Sequence, residues 1–408
     1  MKILKTDICI VGGGIVGLCL AYQISQKRRD LKITIVEKES QIGLHTSGRN
    51  SGVVHAGIYY PPNTLKAKVC VNGGKRLLSW CKNEGLPVNK CGKLIVPQRA
   101  DLDNQLDFLL DRGLKNGAEV YLINEKEFKK LAKFGRTSSG RAIWSPRTSV
   151  VNPKLIIERL TKRLKEKGVQ FLLGRKIGEI SSDQKSLEII SKGFKEYLFF
   201  DHLFNTSGLQ ADRVAQKFGI AKKYKILPFK GIYWKLDPNS GLSFNTNLYP
   251  VPDLNIPFLG VHFTPSTEGE ISLGPTAIPA LGRENYKGIE GIEPKMAFEF
   301  FGDLSIQWIK NINGFRNYAN KQSLLGIKLL FYKSAKLLVP KLKYSDLLPS
   351  SKIGIRAQLY DKEKLQIVDD FVVENGTHST HVLNAISPAF TSSFALSDEI
   401  IKKATFDL

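Results

Sequence analysis

The sequence predicts a mixed α/β protein: a Rossmann-like nucleotide-binding domain assembled from separated pieces of chain, interrupted by a discontinuous, antiparallel-sheet substrate domain. Three observations carry this. Asp7 to Val11 reads as a short apolar strand, Gly12 to Gly17 (Gly-Gly-Gly-Ile-Val-Gly) turns it into a helix, and Glu37 closes a second strand about twenty residues further on. Strand-like runs then gather late in the chain, at Phe229 to Leu236, Phe258 to Phe263 and Ile271 to Gly274. The chain shows no internal repeat and no low-complexity linker, so the two domains are expected to be threaded through one another with several crossings.

Each element of the first domain has a reason. Gly12 permits the sharp turn, Gly14 lets backbone approach a pyrophosphate, and Gly17 lets helix and strand pack closely; the helix N-terminus offers its dipole to the phosphates. Glu37 is placed to hold ribose hydroxyls. The domain is expected from residues 1–90, 152–212 and 352–408. The middle piece supplies a helix from Pro153 to Gly168 and a small-residue turn at Thr206, Ser207 and Gly208. The substrate domain takes 91–151, with helical patterns at Leu102 to Asn116 and Glu125 to Lys133, and 213–351.

Composition narrows the class. A chain of 408 residues with 42% hydrophobic content can bury a large core and usually divides in two. Cys9, Cys19, Cys70, Cys81 and Cys91 lack CxxC spacing and read as small core residues of a reduced protein, not as a disulfide framework or zinc site. No metal is expected: His378 and His381 are the closest histidine pair, and in the strand read there, residues three apart face opposite ways, leaving surface or partly satisfied histidines. The first six residues lead straight into a strand without a secretory leader, and no window offers about eighteen uninterrupted apolar residues. A cytoplasmic location is expected. The net charge of +22 favours anionic surfaces, but the basic residues are dispersed and no RNA-binding motif accompanies them, so no nucleic-acid partner is expected.

One basic region stands apart. Residues 298–348 carry Trp308, Ile309, Phe315, Leu324, Leu325, Ile327, Leu329, Leu330, Phe331 and Leu337 among eight Lys/Arg and three acids. Helices packing the substrate domain are the favoured reading. The other is a peripheral patch on the inner face of the cell membrane, through which electrons reach a quinone.

After Glu37, the small polar run Thr46, Ser47, Gly48, Arg49, Asn50, Ser51, Gly52 leads into Val53, Val54, His55, Ala56, Gly57, Ile58, Tyr59, Tyr60. The stretch from Ser47 through Gly73 resembles the signature of the L-2-hydroxyglutarate dehydrogenase/oxidase family, a branch of the D-amino-acid-oxidase-like FAD enzymes. Further resembling segments are Asn205 to Asp212, Gly260 to Pro265, Leu273 to Pro275, Gly354 to Gln358 and Asn384 to Ser393, so the likeness spans nearly the whole chain. Ser207, Asn152 and Phe390 depart from the expected pattern. The resemblance implies FAD as cofactor, with Ser47, Asn50, Ser51, Gly52, Gly208, Pro388 and Thr391 joining Gly12, Gly14, Gly17 and Glu37 around it.

It also implies oxidation of L-2-hydroxyglutarate to 2-oxoglutarate, with electrons passed on to a quinone, another acceptor or oxygen. A neutral imidazole suits the hydroxyl proton. His55 and His262 lie in the resembling segments and are the expected base and alcohol or carboxylate ligand, in either order. A 2-hydroxydicarboxylate needs cationic clamps. Arg356 is the leading one, bidentate on the C1 carboxylate; Tyr59, Tyr60 and Lys66 are expected at the distal end, Arg283 is a weaker option, and Arg49 stays unassigned. The alternatives are another 2-hydroxyacid, glycerol 3-phosphate or amino-acid oxidase on the same scaffold, or an RNA-associated flavoprotein.

Overall fold

The computed structural model describes all residues except 1, 2, 182, 184, 253–258, 312, 313, 315, 317, 318, 321–324, 407 and 408. Its nucleotide-binding half is a six-stranded sheet in the order Gln170–Leu172, Ile33–Val36, Ile8–Val11, His202–Asn205, Ser379–Val382, Val373–Gly376; all but the last pair run parallel. Strands Ile8–Val11 and Ile33–Val36 are apolar apart from Thr34 and fully buried, as a parallel sheet covered by helices requires. Helices Ile15–Lys27, Leu65–Asn83, Pro153–Glu166 and Ala389–Lys403 pack together over it around Leu18, Leu77, Leu160 and Leu396.

The expected helices at 153–168, 102–116 and 125–133 form as Pro153–Glu166, Asp103–Lys115 and Glu125–Leu131. Asn152 caps the first by accepting from the backbone N–H groups of Lys154 and Leu155, and Asn124 with Glu127 builds a capping box on the last.

The second half is a ten-stranded sheet. Two long strands, Tyr224–Leu236 and Leu347–Asp361, form its spine, with Phe229 opposite Arg356 and Gly231 opposite Gly354. Ile271–Gly274, as expected, joins Tyr224–Leu236, and His262–Pro265 joins it in turn. The expected strand at Phe258 to Phe263 starts at His262 among the described residues; Phe258 lies outside them. Pairing is antiparallel except between Asn247–Pro250 and Lys93–Val96, which run parallel. Sheet membership corrects one boundary: 351/352 falls inside strand Leu347–Asp361, so Arg356 sits in mid-strand of the large sheet, not at the edge of a closing nucleotide-domain piece.

The basic region folds as helices Pro294–Lys310 and Lys328–Leu338. One face packs inward: Phe300 meets Phe229 edge-on at 5.4 Å, and Phe331, Ala335 and Leu338 join the sheet's core. The other face leaves Phe298 and Ile309 84% and 66% exposed, with Trp308, Ile327, Leu329 and Leu337 beside them. Phe315 and Leu324 lie outside the described residues. Among the described residues, no helix is long and apolar enough to cross a membrane.

All five cysteines are buried and free. The histidine reading needs correction: His378 lies outside the strand Ser379–Val382, and His381 is fully buried between Asn205 and Ser379, which bond its two ring nitrogens. It is neither a surface nor a partly satisfied histidine.

Candidate active site

The cradle is as the glycine pattern demands. Gly12 has φ +104, and a Cβ there would lie 2.6 Å from the Thr206 carbonyl oxygen; one on Gly17 would lie 2.3 Å from that of Gly12. Gly14 differs, since its Cβ would meet only Ser47 Oγ, at 3.0 Å. Its backbone therefore faces open space where a pyrophosphate can approach. Glu37, at the strand end, is held by the Gly13 and Glu39 N–H groups donating to its two carboxylate oxygens at 2.8 and 2.9 Å.

A single cavity of about 620 Å³ runs from this cradle to His55, His262 and Arg356. Gly12, Gly14, Glu37, Ser47, Asn50, Ser51, Gly208, Pro388 and Thr391 all line it. Some do so while bonded to the scaffold. Ser47 Oγ accepts from Ile15 N–H at the helix start, while the Asn50 amide donates to Ser47 O and accepts from Gly52 N–H, tying its own loop. Gly52 is outside the lining; a Cβ there would lie 2.1 Å from Val151 O, so its role is close backbone packing. Gly208 takes φ +56 with nothing near a Cβ. Thr391, in the first turn of the helix that Pro388 opens, donates to Val53 O and accepts from His55 N–H, fixing His55 to the wall.

The far end holds the titratable groups. His262 donates through Nδ1 to Gly260 O at 2.8 Å, leaving an Nε2 lone pair, because a carbonyl can only accept. Burial above all, with the Arg356 and Lys93 charges, pulls its imidazole down to about 3 against the Gly260 hydrogen bond. His55 places Nε2 3.3 Å from Ser387 Oγ, and burial followed by Lys93 and His262 brings it also to about 3. Both are neutral at pH 7. Arg356 donates to Thr276 O at 3.0 Å, which aims its guanidinium across the sheet. Tyr233 and Tyr249, which sequence reasoning did not single out, line the same end.

The expected distal group does not line this cavity. The Lys66 ammonium lies over the Tyr60 and Phe371 rings, under the charges of Asp369 and Asp370, with its pKa lowered to about 8 by burial. Tyr59 packs under Lys93. Arg283 is likewise not a substrate clamp: it forms a buried pair with Asp212 and donates to Leu209 O. Arg49 stacks on Tyr286 at 4.2 Å. Beyond Glu37, the side chains of Glu39, His45 and Glu284 bring ligand atoms within 4.8 Å of one another, but Lys38 Nζ already bonds all three.

A dinucleotide cradle, a helix N-terminus aimed into the cavity and, at its far end, two neutral imidazoles beside a guanidinium define a flavoprotein oxidoreductase. The profile of the FAD dependent oxidoreductase family matches residues 7–402. Within it, the chain belongs to the L-2-hydroxyglutarate dehydrogenase family. It is 36% identical to "L-2-hydroxyglutarate dehydrogenase, mitochondrial" of Caenorhabditis briggsae, over 98% of this chain and 93% of that one. It is 35% identical to the L-2-hydroxyglutarate dehydrogenase of Indibacter alkaliphilus, covering 98% of each, and 34% identical to the mitochondrial enzyme of Homo sapiens, covering 97% and 87%. The fold matches that of FAD-bound L-alpha-glycerophosphate oxidase from Mycoplasma pneumoniae with TM-score 0.76 at 23% identity, covering 99% and 96% of the two chains. FAD is the cofactor, and the open approach at Gly14 with the held Glu37 carboxylate fits it.

Proposed function

We propose that this protein oxidises L-2-hydroxyglutarate to 2-oxoglutarate. The observation that carries the reading is the convergence, in one cavity ending on the nucleotide cradle, of two neutral imidazoles and a guanidinium. FAD supplies the hydride acceptor when bound. Arg356 binds the C1 carboxylate and orients C2. One of His55 and His262 takes the hydroxyl proton while the other holds the alcohol or carboxylate. An imidazole near pKa 3 is a weak base, but a bound dianion raises its proton affinity, so binding itself readies the acceptor.

The test is an anaerobic absorbance titration of the purified yellow protein with L-2-hydroxyglutarate, its D enantiomer, L-lactate, L-malate, glycerol 3-phosphate and glycine. Selective bleaching by L-2-hydroxyglutarate, with 2-oxoglutarate formed, supports the reading; bleaching by another compound moves the substrate. His55→Ala and His262→Ala each slow that bleaching. If neither does, the proton goes elsewhere.

Electrons leave to a quinone at the inner face of the cell membrane. Phe298, Trp308 and Ile309 stand out from helix Pro294–Lys310 in a region rich in lysine, the pattern of a surface that seats on anionic lipid. Vesicles rich in phosphatidylglycerol should sediment the protein, and Phe298→Glu with Ile309→Glu should release it. Equal sedimentation of both forms, or reoxidation by oxygen as fast as by a quinone, argues against this acceptor.

A further inference from the structure

Lys93 opens strand Lys93–Val96, fully buried, and its ammonium has no hydrogen-bond partner among the described residues. It lies 4.6 Å from the centroid of the Tyr59 ring and 5.3 Å from that of Tyr249, and its charge is felt by both His55 and His262. Tyr59 Oη and His55 Nδ1 are buried without partners as well. Three orphaned polar atoms thus gather at the His55, His262 and Tyr249 end of the cavity, those of Lys93 and Tyr59 directly behind its lining. Buried polar groups are nearly always satisfied, so such a cluster calls for a ligand.

The groups around Lys93 do not answer its charge. Cys70, from helix Leu65–Asn83, is a thiol pushed up to about 12; Tyr59, Tyr249 and Tyr233 are neutral phenols; His55 and His262 are neutral; Arg356, from strand Leu347–Asp361, is a cation. The other lysines held out of water differ. Buried Lys66 faces Asp369 and Asp370, and half-buried Lys352 faces Glu268 and Glu270. An ammonium taken out of water without an anion is costly to the fold, and its retention makes sense when a ligand brings the anion.

We propose that Lys93, with the Tyr59 hydroxyl, receives the second carboxylate of the substrate, so that the site selects a 2-hydroxydicarboxylate over a 2-hydroxymonocarboxylate. This rests on the function proposed above. Arg356 answers the first carboxylate and Lys93 the second, with the C2 hydroxyl left to the histidines between them. The strand order puts His262 between the two cations, Arg356 on one side across Tyr224–Leu236 and Ile271–Gly274 and Lys93 on the other across Asn247–Pro250, and the charges of both reach its imidazole.

The experiment compares anaerobic flavin reduction by L-2-hydroxyglutarate and by L-2-hydroxyvalerate, the same carbon chain without the distal carboxylate, in wild type, Lys93→Met and Lys93→Gln. Wild type prefers the diacid. Both variants lose about 100-fold or more of kcat/KM for the diacid and stay within about threefold of wild type for the monoacid. Melting supplies a readout independent of turnover: without ligand Lys93→Met melts no lower than wild type, and glutarate raises the melting temperature of wild type only. The wild type alone gives a third: glutarate affinity falls as pH rises above about 7, the value to which burial lowers Lys93, because an amine no longer pairs with the carboxylate. Variants that keep the wild-type diacid preference, glutarate stabilisation that survives loss of Lys93, or glutarate affinity indifferent to pH would each overturn the assignment. Failure of L-2-hydroxyglutarate to reduce wild type would instead overturn the proposed reaction.

Discussion

The imidazole of His262 lies flat on the phenol ring of Tyr249, centroids 3.8 Å apart and planes 15° from parallel. Tyr249 is itself fixed in strand Asn247–Pro250, so the stack and the Gly260 hydrogen bond together set the plane of the imidazole. Tyr249→Leu removes the ring and with it the stack. Flavin reduction should slow by about tenfold, and the cavity left at this buried position should cost about 2 to 4 kcal/mol of stability. Stopped-flow reduction beside a urea melt reads both; an unchanged reduction rate removes the stack from the proton-transfer geometry.

Arg356→Lys should lower kcat/KM about 100-fold with FAD content unchanged. A lysine carries the charge but cannot make the planar two-point contact with a carboxylate, nor reach Thr276 O in the same way. Steady-state kinetics with flavin absorbance per chain checks this. Equal kinetics would take Arg356 out of the substrate contact.

The two glycines of the cradle should fail differently. Gly17→Ala forces a methyl group to 2.3 Å from backbone, so the apoprotein itself should lose about 3 kcal/mol, the upper end of the usual overpacking penalty. Gly14→Ala meets only a hydroxyl at 3.0 Å, so the apoprotein should melt nearly as wild type while FAD retention drops. Thermal melts with and without FAD separate the two. A Gly14→Ala protein that stays fully yellow would refute the pyrophosphate path.

Acid should unfold the protein from about pH 6.5 downward. Burial holds His55, His262 and His381 at about 3 and His202 at about 4, all below the usual 6.5. Between those limits the unfolded chain binds more protons than the folded one, so the histidines' contribution to stability is complete above 6.5 and lost as pH falls toward 3. Lys93 has the same sign in a different window: its lowered value makes stability rise from pH 7 toward 10.5, and Lys93→Met should flatten that rise. Urea midpoints measured from pH 4.5 to 9.5 test both slopes.

The nucleotide cradle was legible because its physics is local. Gly12, Gly14, Gly17 and Glu37 act through a turn, a helix start and two adjacent strands within one short stretch, and helix Asp103–Lys115 and strand Ile271–Gly274 announce themselves by periodicity. His55, His262 and Arg356 were reached through the family resemblance of their segments, and one cavity takes all three. Lys66 misled, because its sequence neighbourhood does not reveal that Asp369 and Asp370 stand opposite it. Lys93 went unnoticed for a related reason: in sequence it is a lysine opening an apolar strand, and its lack of a partner exists only once Tyr59 and Tyr249 close over it.

The sequence by itself therefore determined the fold class and a dinucleotide cradle, since these rest on glycines, strand ends and helix starts whose backbone requirements are met by near neighbours, while FAD and the family came from the resemblance of segments such as Ser47 to Gly73. Only the tertiary structure decided which charges face one another. The register of Tyr224–Leu236 on Leu347–Asp361 sets Arg356 opposite Phe229, from parts of the chain more than a hundred residues apart, and burial among distant strands keeps His55 and His262 neutral and leaves the Lys93 ammonium without a hydrogen-bond partner among the described residues. Pairing at such range is set by the packing of the whole sheet, and the energy of a charge depends on what that packing removes from water.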